Sequence, residues 1–212
     1  DNPLTARVIA NRVWQYHFGE AIVSTPNDFG LNGATPSHPE LLDWLAAELI
    51  DSGWSLKSLH RVILNSSTWQ QSSRVDRQTL AQAREVDTNN RLLWRFSRRR
   101  LTAEEIRDSM LQISGEMNAK LTGESVITPV DPEMVKLLYK PDQWAVTEDR
   151  SEHNRRSIYL IAKRNLKLPF MEVFDQPDLQ TSCECREVST HAPQALELLL
   201  SLIHISEPTR PL

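Results

Sequence analysis

The chain has 212 residues, 40% of them hydrophobic, and a formal charge of −4 from 24 basic and 28 acidic side chains. That length fits one large domain or one domain with an elaborated end, and the mildly acidic balance argues against nucleic acid as the main partner. No apolar run reaches the roughly 18 residues of a membrane span, and five of the six Trp precede residue 95, which predicts the densest core in the N-terminal half.

The first element is a helix from about Asn2 to Phe18. Asp1 or Asn2 can cap it, and Pro3 suits its first turn, where the missing N–H would be unpaired anyway. Leu4, Val8, Trp14 and Phe18 form one apolar side at helical spacing, and Ala6, Ile9, Ala10 and Val13 continue it, so the helix is apolar nearly all round and predicted to be buried. Arg7, Asn11 and Gln15 form a polar row along it, and buried polar groups need partners, so the row is expected to bond neighbouring backbone or acidic side chains. Gly19 supplies the stop. Glu20 to Pro36 is rich in turn residues and is expected to be a loop.

Ser37 and Glu40 predict a capping box for a second helix ending near Ser52, with Leu41, Leu42, Leu45, Ala46 and Leu49 inward. Ser55 opens a third helix, with Leu56, Leu59, Val62 and Ile63 inward and Trp69 anchoring its end. Arg74 to Asn90 is polar and predicts a short exposed helix or loop. Thr102 and Glu105 make another capping box, followed by a stripe of Ile106, Met110, Ile113 and Met117 that is expected to face the core.

Residues 119–141 carry Gly, Pro and Thr punctuation and are expected to be an insertion or surface excursion. Gln143–Thr147 and Ser157–Lys163 are short β-prone runs around a polar stretch, which predicts a hairpin. Pro169 to Arg186 is expected to be irregular, packing through Phe170, Val173 and Phe174, before Ser189 or Thr190 caps a last helix through Leu199. The fold class expected from these elements is mainly α, an irregular helical domain with a small β-hairpin in its second half.

Several residues invite a chemical reading. Asp28, His38 and Asp175 are the candidate catalytic groups, with Asp175 and Asp178 flanking Pro177 as a carboxylate pair that turn formation explains as well. Arg98, Arg99 and Arg100, with Arg155 and Arg156, are candidate ligand-binding groups, because guanidinium binds anionic groups bidentately. The competing expectation for the arginine cluster, Arg91 and Arg95 included, is pairing with Glu104, Glu105 and Asp108. His17, on an apolar face, reads as a hydrogen-bonded core histidine. No H-x-x-x-H or H-E-x-x-H spacing exists, so no metal motif is expected, and the DFG string lacks the rest of a kinase set while no serine lies in a G-x-S-x-G elbow. Cys183 and Cys185 form C-E-C, which is not the C-x-x-C-H of haem attachment and would make a strained disulfide. They are expected to be free or solvent-facing.

Taken together, NRVWQYHFG, HPELLDWLA, GWSLKSLHR, RRRLTAEEIRD, FDQPD and STHAPQALELL, in that order, resemble the planctomycete cytochrome-c-associated domain of unknown function, the C-terminal "PSD-one" domain. The resemblance runs from Asn2 to about Leu199. It implies a large extracytoplasmic protein, in the periplasm or at the cell surface, with a sister domain and a cytochrome-like module in the same chain. Haem is then expected only on that neighbouring module and no cofactor in this segment. The family has no agreed activity, so no catalytic residue carries over. SLIHISEPTRPL, residues 201–212, looks like a translated sequencing-adapter tail of a metagenomic fragment, leaving residues 1–200 as a single helical domain. The function expected is a non-catalytic structural or interaction domain. The alternative is an enzyme domain acting on extracellular polysaccharide, with an anionic, sulfated glycan as ligand class.

Overall fold

A computed structural model of the chain describes residues 2–199. The expected adapter-like tail, 201–212, lies outside the described residues. The chain divides into two compact units between Arg99 and Arg100.

The first unit is built on α1 (Pro3–Phe18), α2 (Pro39–Asp51), α3 (Leu56–Leu64) and α4 (Arg77–Val86). Asn2 caps α1 through its side chain, and Gly19 ends it with φ +85°, a left-handed conformation that glycine adopts without a Cβ penalty. The core joins Ala10, Val13, Trp14 and Phe18 of α1 to Leu42, Leu45 and Leu49 of α2 and to Leu59 and Ile63 of α3. Ile22 and Val23 from the loop complete it, and Trp69, Phe96 and Phe29 pack against it. Here the dense N-terminal core is real, but two of its expected contributors are not in it, since Trp44 and Trp54 are 53% and 48% exposed. α1 is also less wrapped than its sequence suggests: Leu4 and Tyr16 face solvent.

The α2 capping box does not form. The N-cap is His38, one residue later than expected, with Pro39 at the first helical position and no side-chain cap bond. Proline's fixed φ sets the start of the helix, and the Ser37 hydroxyl turns back to Ile22 O at 3.3 Å. Ser55 does cap α3, accepting from Ser58 N, and Leu59 and Ile63 face inward while Leu56 does not. After Arg74, where an exposed helix or loop is expected, the chain forms α4, a helix with no buried residue.

The second unit holds α5 (Ala103–Ser114), α6 (Pro132–Lys136), α7 (Pro169–Val173) and α8 (Ala192–Leu199), with single 3-10 turns at Pro141–Gln143, Arg150–Asn154 and Ser157–Tyr159. The Thr102–Glu105 capping box is present at α5 in both directions. Its core face is rotated from the expected stripe, with Ala103 and Leu111 buried while Ile113 is 87% exposed. Ala103 and Ile106 pack with Met171, Phe174 and Phe170 of the α7 region.

The predicted hairpin is absent: among the described residues there is no sheet, only isolated bridges. Arg155 and Leu160 bridge in parallel to Asn118 and Val126 rather than to residues 143–147. The intervening polar stretch coils into a 3-10 turn started by Asp149, which accepts from Ser151 N, so the chain does not reverse into a two-stranded ladder. Segment 119–141 supplies core as well as surface, with Val126 and Leu138 buried and Ile127, Val130, Met134 and Val135 packed around Leu138, Trp144 and Leu166.

Candidate functional site

The residue Asp175 sits just after α7 with φ +62°, a left-handed conformation that costs a non-glycine residue energy and persists only when its surroundings hold it. Here they do. Ser189 Oγ donates to Asp175 Oδ1 at 2.5 Å and Ser189 N donates to Oδ2 at 3.0 Å. Arg100 Nη1 donates to Oδ2 at 3.2 Å and also to Ser189 O, while its guanidinium lies 5.5 Å over the Phe174 ring. Buried Gln194, on α8, donates through Nε2 to Val173 O at 3.0 Å and lies 3.2 Å from His191 Nε2. This clasp unites FDQPD, STHAPQALELL and the last Arg of the arginine run. The Ser189 hydrogen bonds, helped by the Arg100 charge, hold the Asp175 carboxyl below its ordinary range, so it is a carboxylate near neutral pH.

Chemically, the clasp differs from a nucleophile triad. There a histidine takes the serine proton; here the Ser189 hydroxyl donates directly to a carboxylate whose two oxygens are both engaged. Asp178 takes no part, accepting instead from Gln180 N at 3.2 Å. Ser189 is also unavailable as a helix cap: α8 begins at Ala192, and the serine side chain is spent on Asp175.

A second network lies in the same unit. Arg155 is 1% exposed, stacks 3.8 Å from the Tyr159 ring, pairs with Glu152 at 3.1 Å and donates to Thr122 O. Arg107 donates to Arg155 O at 2.9 Å and His153 O at 2.6 Å, and Asp108 accepts from Ser157 N and Oγ, both at 2.7 Å. Arg156, 56% exposed, pairs with Asp108 at 3.6 Å. Arg155 is therefore an internal tie and Arg156 a surface ion pair. Of the acids expected to pair with the arginine run, Glu104 and Asp108 bind Arg186 and Arg156. Glu104 binds Arg186 bidentately at 2.6 and 3.0 Å, and Glu105 closes the α5 capping box. Arg95 Nε, Arg100 Nη2 and Arg155 Nε are buried without a hydrogen-bond partner.

In the first unit, Asp28 organises the loop after α1. Its Oδ1 accepts from Gly30 N at 2.8 Å and its carbonyl accepts from Thr25 Oγ1 at 2.8 Å. A Cβ on Gly33 would stand 2.2 Å from Asp28 O, so this turn admits only glycine there. His38 Nδ1 lies 2.9 Å from Ser37 Oγ at the start of α2. Arg98 Nε donates to Ser73 Oγ at 3.4 Å, and the Arg99 side chain passes beside Gly19. Two residues of the polar row of α1 behave as expected: Asn11, fully buried, donates to Val23 O at 3.1 Å and accepts from Val23 N at 2.8 Å, and Arg7 donates to Asp43 at 2.6 Å.

Sequence reasoning picked out Asp175 and Arg100 but not Ser189, Gln194 and His191 as their partners. It also missed that His17 pairs with His60, 43 residues away, since such separations leave no local motif. Cys183 and Cys185 are both exposed and free, and the Cys183 thiol points to Cys185 O at 3.2 Å. Among the described residues, no group of three or more His, Cys, Asp or Glu is arranged to hold a metal ion, and no helix is long and apolar enough to cross a membrane.

Neither a curated protein nor a solved structure matches the chain. The family is nevertheless shown, because the motifs joined in the clasp and in α1 fall within one match that spans both units: over residues 1–205 the chain fits the family model PSD1, protein of unknown function (DUF1553), and it belongs to that family.

Proposed function

We propose that this chain is a non-catalytic structural and interaction domain of a larger extracytoplasmic protein, in which a cytochrome-c-like module of the same chain carries any haem and a sister domain is its partner. The observation that supports this is the Asp175 clasp: the best-placed acid has its oxygens engaged by Ser189 and Arg100. A carboxylate held in that way is a poor general acid or base, because catalysis needs a group free to exchange its proton near the working pH. Asp28 is likewise committed to its turn.

The competing reading, an enzyme domain acting on extracellular sulfated polysaccharide, draws support from the position of Arg98, Arg99 and Arg156 at the surface. One experiment separates the two. Purified chain is incubated with neutral and sulfated polysaccharides and new reducing ends are measured, alongside sedimentation with and without the upstream domain. The interaction reading expects no turnover and a complex with the upstream domain. Turnover that disappears in Asp175→Asn but survives in Arg7→Ala would replace it with the enzyme reading.

A further inference from the structure

The last turn of α1 and the middle of α3 meet through two imidazoles. His17 Nε2 lies 2.7 Å from His60 Nδ1, with the rings edge to face and their centroids 5.0 Å apart. At that separation one ring donates its proton and the other accepts it. The pair is part-buried and forms one wall of an aromatic cluster. His17 meets Trp69 edge-on at 5.1 Å, Trp69 meets Phe18 at 5.7 Å, and Trp69 meets Phe96 at 5.0 Å. The contact thus ties together the end of α1, α3, the turn after α3 and the segment holding Phe96.

The charged groups acting on His17 are His60 from α3 and Arg99 from the end of the first unit, both of which disfavour a cation there, while Trp69 brings a ring and no charge. We propose that His17 and His60 form an acid-sensitive latch, in which one proton shared between the rings holds the C-terminal turn of α1 to α3 and a second proton opens it. With one ring neutral, a nitrogen lone pair remains to accept the hydrogen bond. With both rings protonated, both facing nitrogens are donors, the bond is lost, and two cations confront each other at contact distance beside Arg99. The end of α1 then parts from α3 and uncovers Phe18, Trp69 and Phe96.

The sign agrees with the surroundings of His17. Burial first, then the charges of His60 and Arg99, lower its pKa from the ordinary 6.5. A histidine whose folded pKa is lowered contributes stability that is present above its unfolded pKa and lost as pH falls below that, through the folded value. The latch is therefore closed at neutral pH and opens on acidification. This does not depend on whether the domain binds partners or glycans.

The test uses the full chain. Urea unfolding midpoints are measured at about pH 7.5 and about pH 5, a window set by the imidazole group, and the imidazole C2 protons are titrated by NMR. Glutamine at position 60 keeps a hydrogen-bonding side chain but cannot take the second proton. The expected result is that the midpoint falls on acidification in the wild type, that His60→Gln reduces this fall by at least half, and that two rings of the wild type titrate in two linked steps. An equal fall in His60→Gln, or two rings that titrate independently as in the urea-unfolded chain, would overturn the latch. So would stoichiometric Zn(II) binding at neutral pH that His60→Gln abolishes, since the pair would then be a metal chelate. If the variant does not fold, the wild-type titration decides.

Discussion

The side chain of Asn11 shows how much a single buried polar group can hold. It satisfies both backbone groups of Val23, in a loop that would otherwise bring an unpaired N–H and C=O into the core. Asn11→Ala removes both bonds and leaves both groups buried, and is expected to cost about 2–4 kcal/mol, taking roughly 1–2 kcal/mol for each orphaned group. Equilibrium urea unfolding checks this, and a loss under about 0.5 kcal/mol, the range of a surface change, would refute it. Asp175 makes a prediction with the opposite chemistry. Its folded pKa is lowered, chiefly by Ser189, from an ordinary value of 3.8. A carboxylate of that kind contributes stability present above its unfolded pKa and lost as pH falls through the folded one. Acidification from about pH 5 to about pH 2 should therefore destabilise the wild type more than Asp175→Asn, whose amide has no charge to lose. Parallel acid unfolding curves for the two proteins would contradict it. Of these two residues, Asn11 was legible as a polar group in an apolar helix that must find a partner, whereas the partners of Asp175 lie 14 and 75 residues away and left no trace in local spacing.

At the scale of elements, short-range chemistry was the readable part. The α5 capping box follows from Thr102 and Glu105 alone, because both bonds close within one turn. Thr102→Ala should lower stability by about 1 kcal/mol, the usual cost of losing an N-cap oxygen, as a reduced thermal midpoint will report. Which face of α5 packs was not readable in the same way. Spacing favoured a stripe through Ile113, yet the buried residues of α5 are Ala103 and Leu111, and it is Ala103, with Ile106, that packs against Met171 and Phe174 of the α7 region. Leu111→Asp, which buries an unpaired charge, should cost more than about 3 kcal/mol, while Ile113→Asp should stay within about 0.5 kcal/mol. Comparable losses in the two variants would return the core face to the expected stripe. The missing hairpin has a related cause. Runs such as Ser157–Lys163 state a preference for extended backbone, but pairing is decided by whichever chain lies alongside, and here that is 118–126.

Among the described residues the core falls into one cluster in the unit before Arg100 and two in the unit after it. If each unit is cooperative, a cavity in one should loosen that unit first. Leu49→Ala, at a fully buried position of α2, is expected to speed amide exchange across α1 to α3 while leaving α5 and α7 at their wild-type rates, by hydrogen-exchange mass spectrometry. Equal acceleration in all of them would mean one cooperative unit. By itself, the sequence determined the mainly helical class, the existence of α2 and α3 with Leu42, Leu45, Leu49, Leu59 and Ile63 inward, the Ser55 cap of α3, the exposed character of α4, the α1 stop at Gly19 and the α5 cap. All of these rest on interactions within a turn or two, or on a periodicity that burial rewards wherever the partner comes from. Only the tertiary structure decided that Asp175 meets Ser189 and Arg100, that His17 meets His60, that Glu104 answers Arg186, and that 155–160 pairs with 118–126. Those are choices among many side chains and segments of equal local propensity. They are made by which surfaces the folded chain brings within a few ångströms, a quantity that no window of the sequence contains.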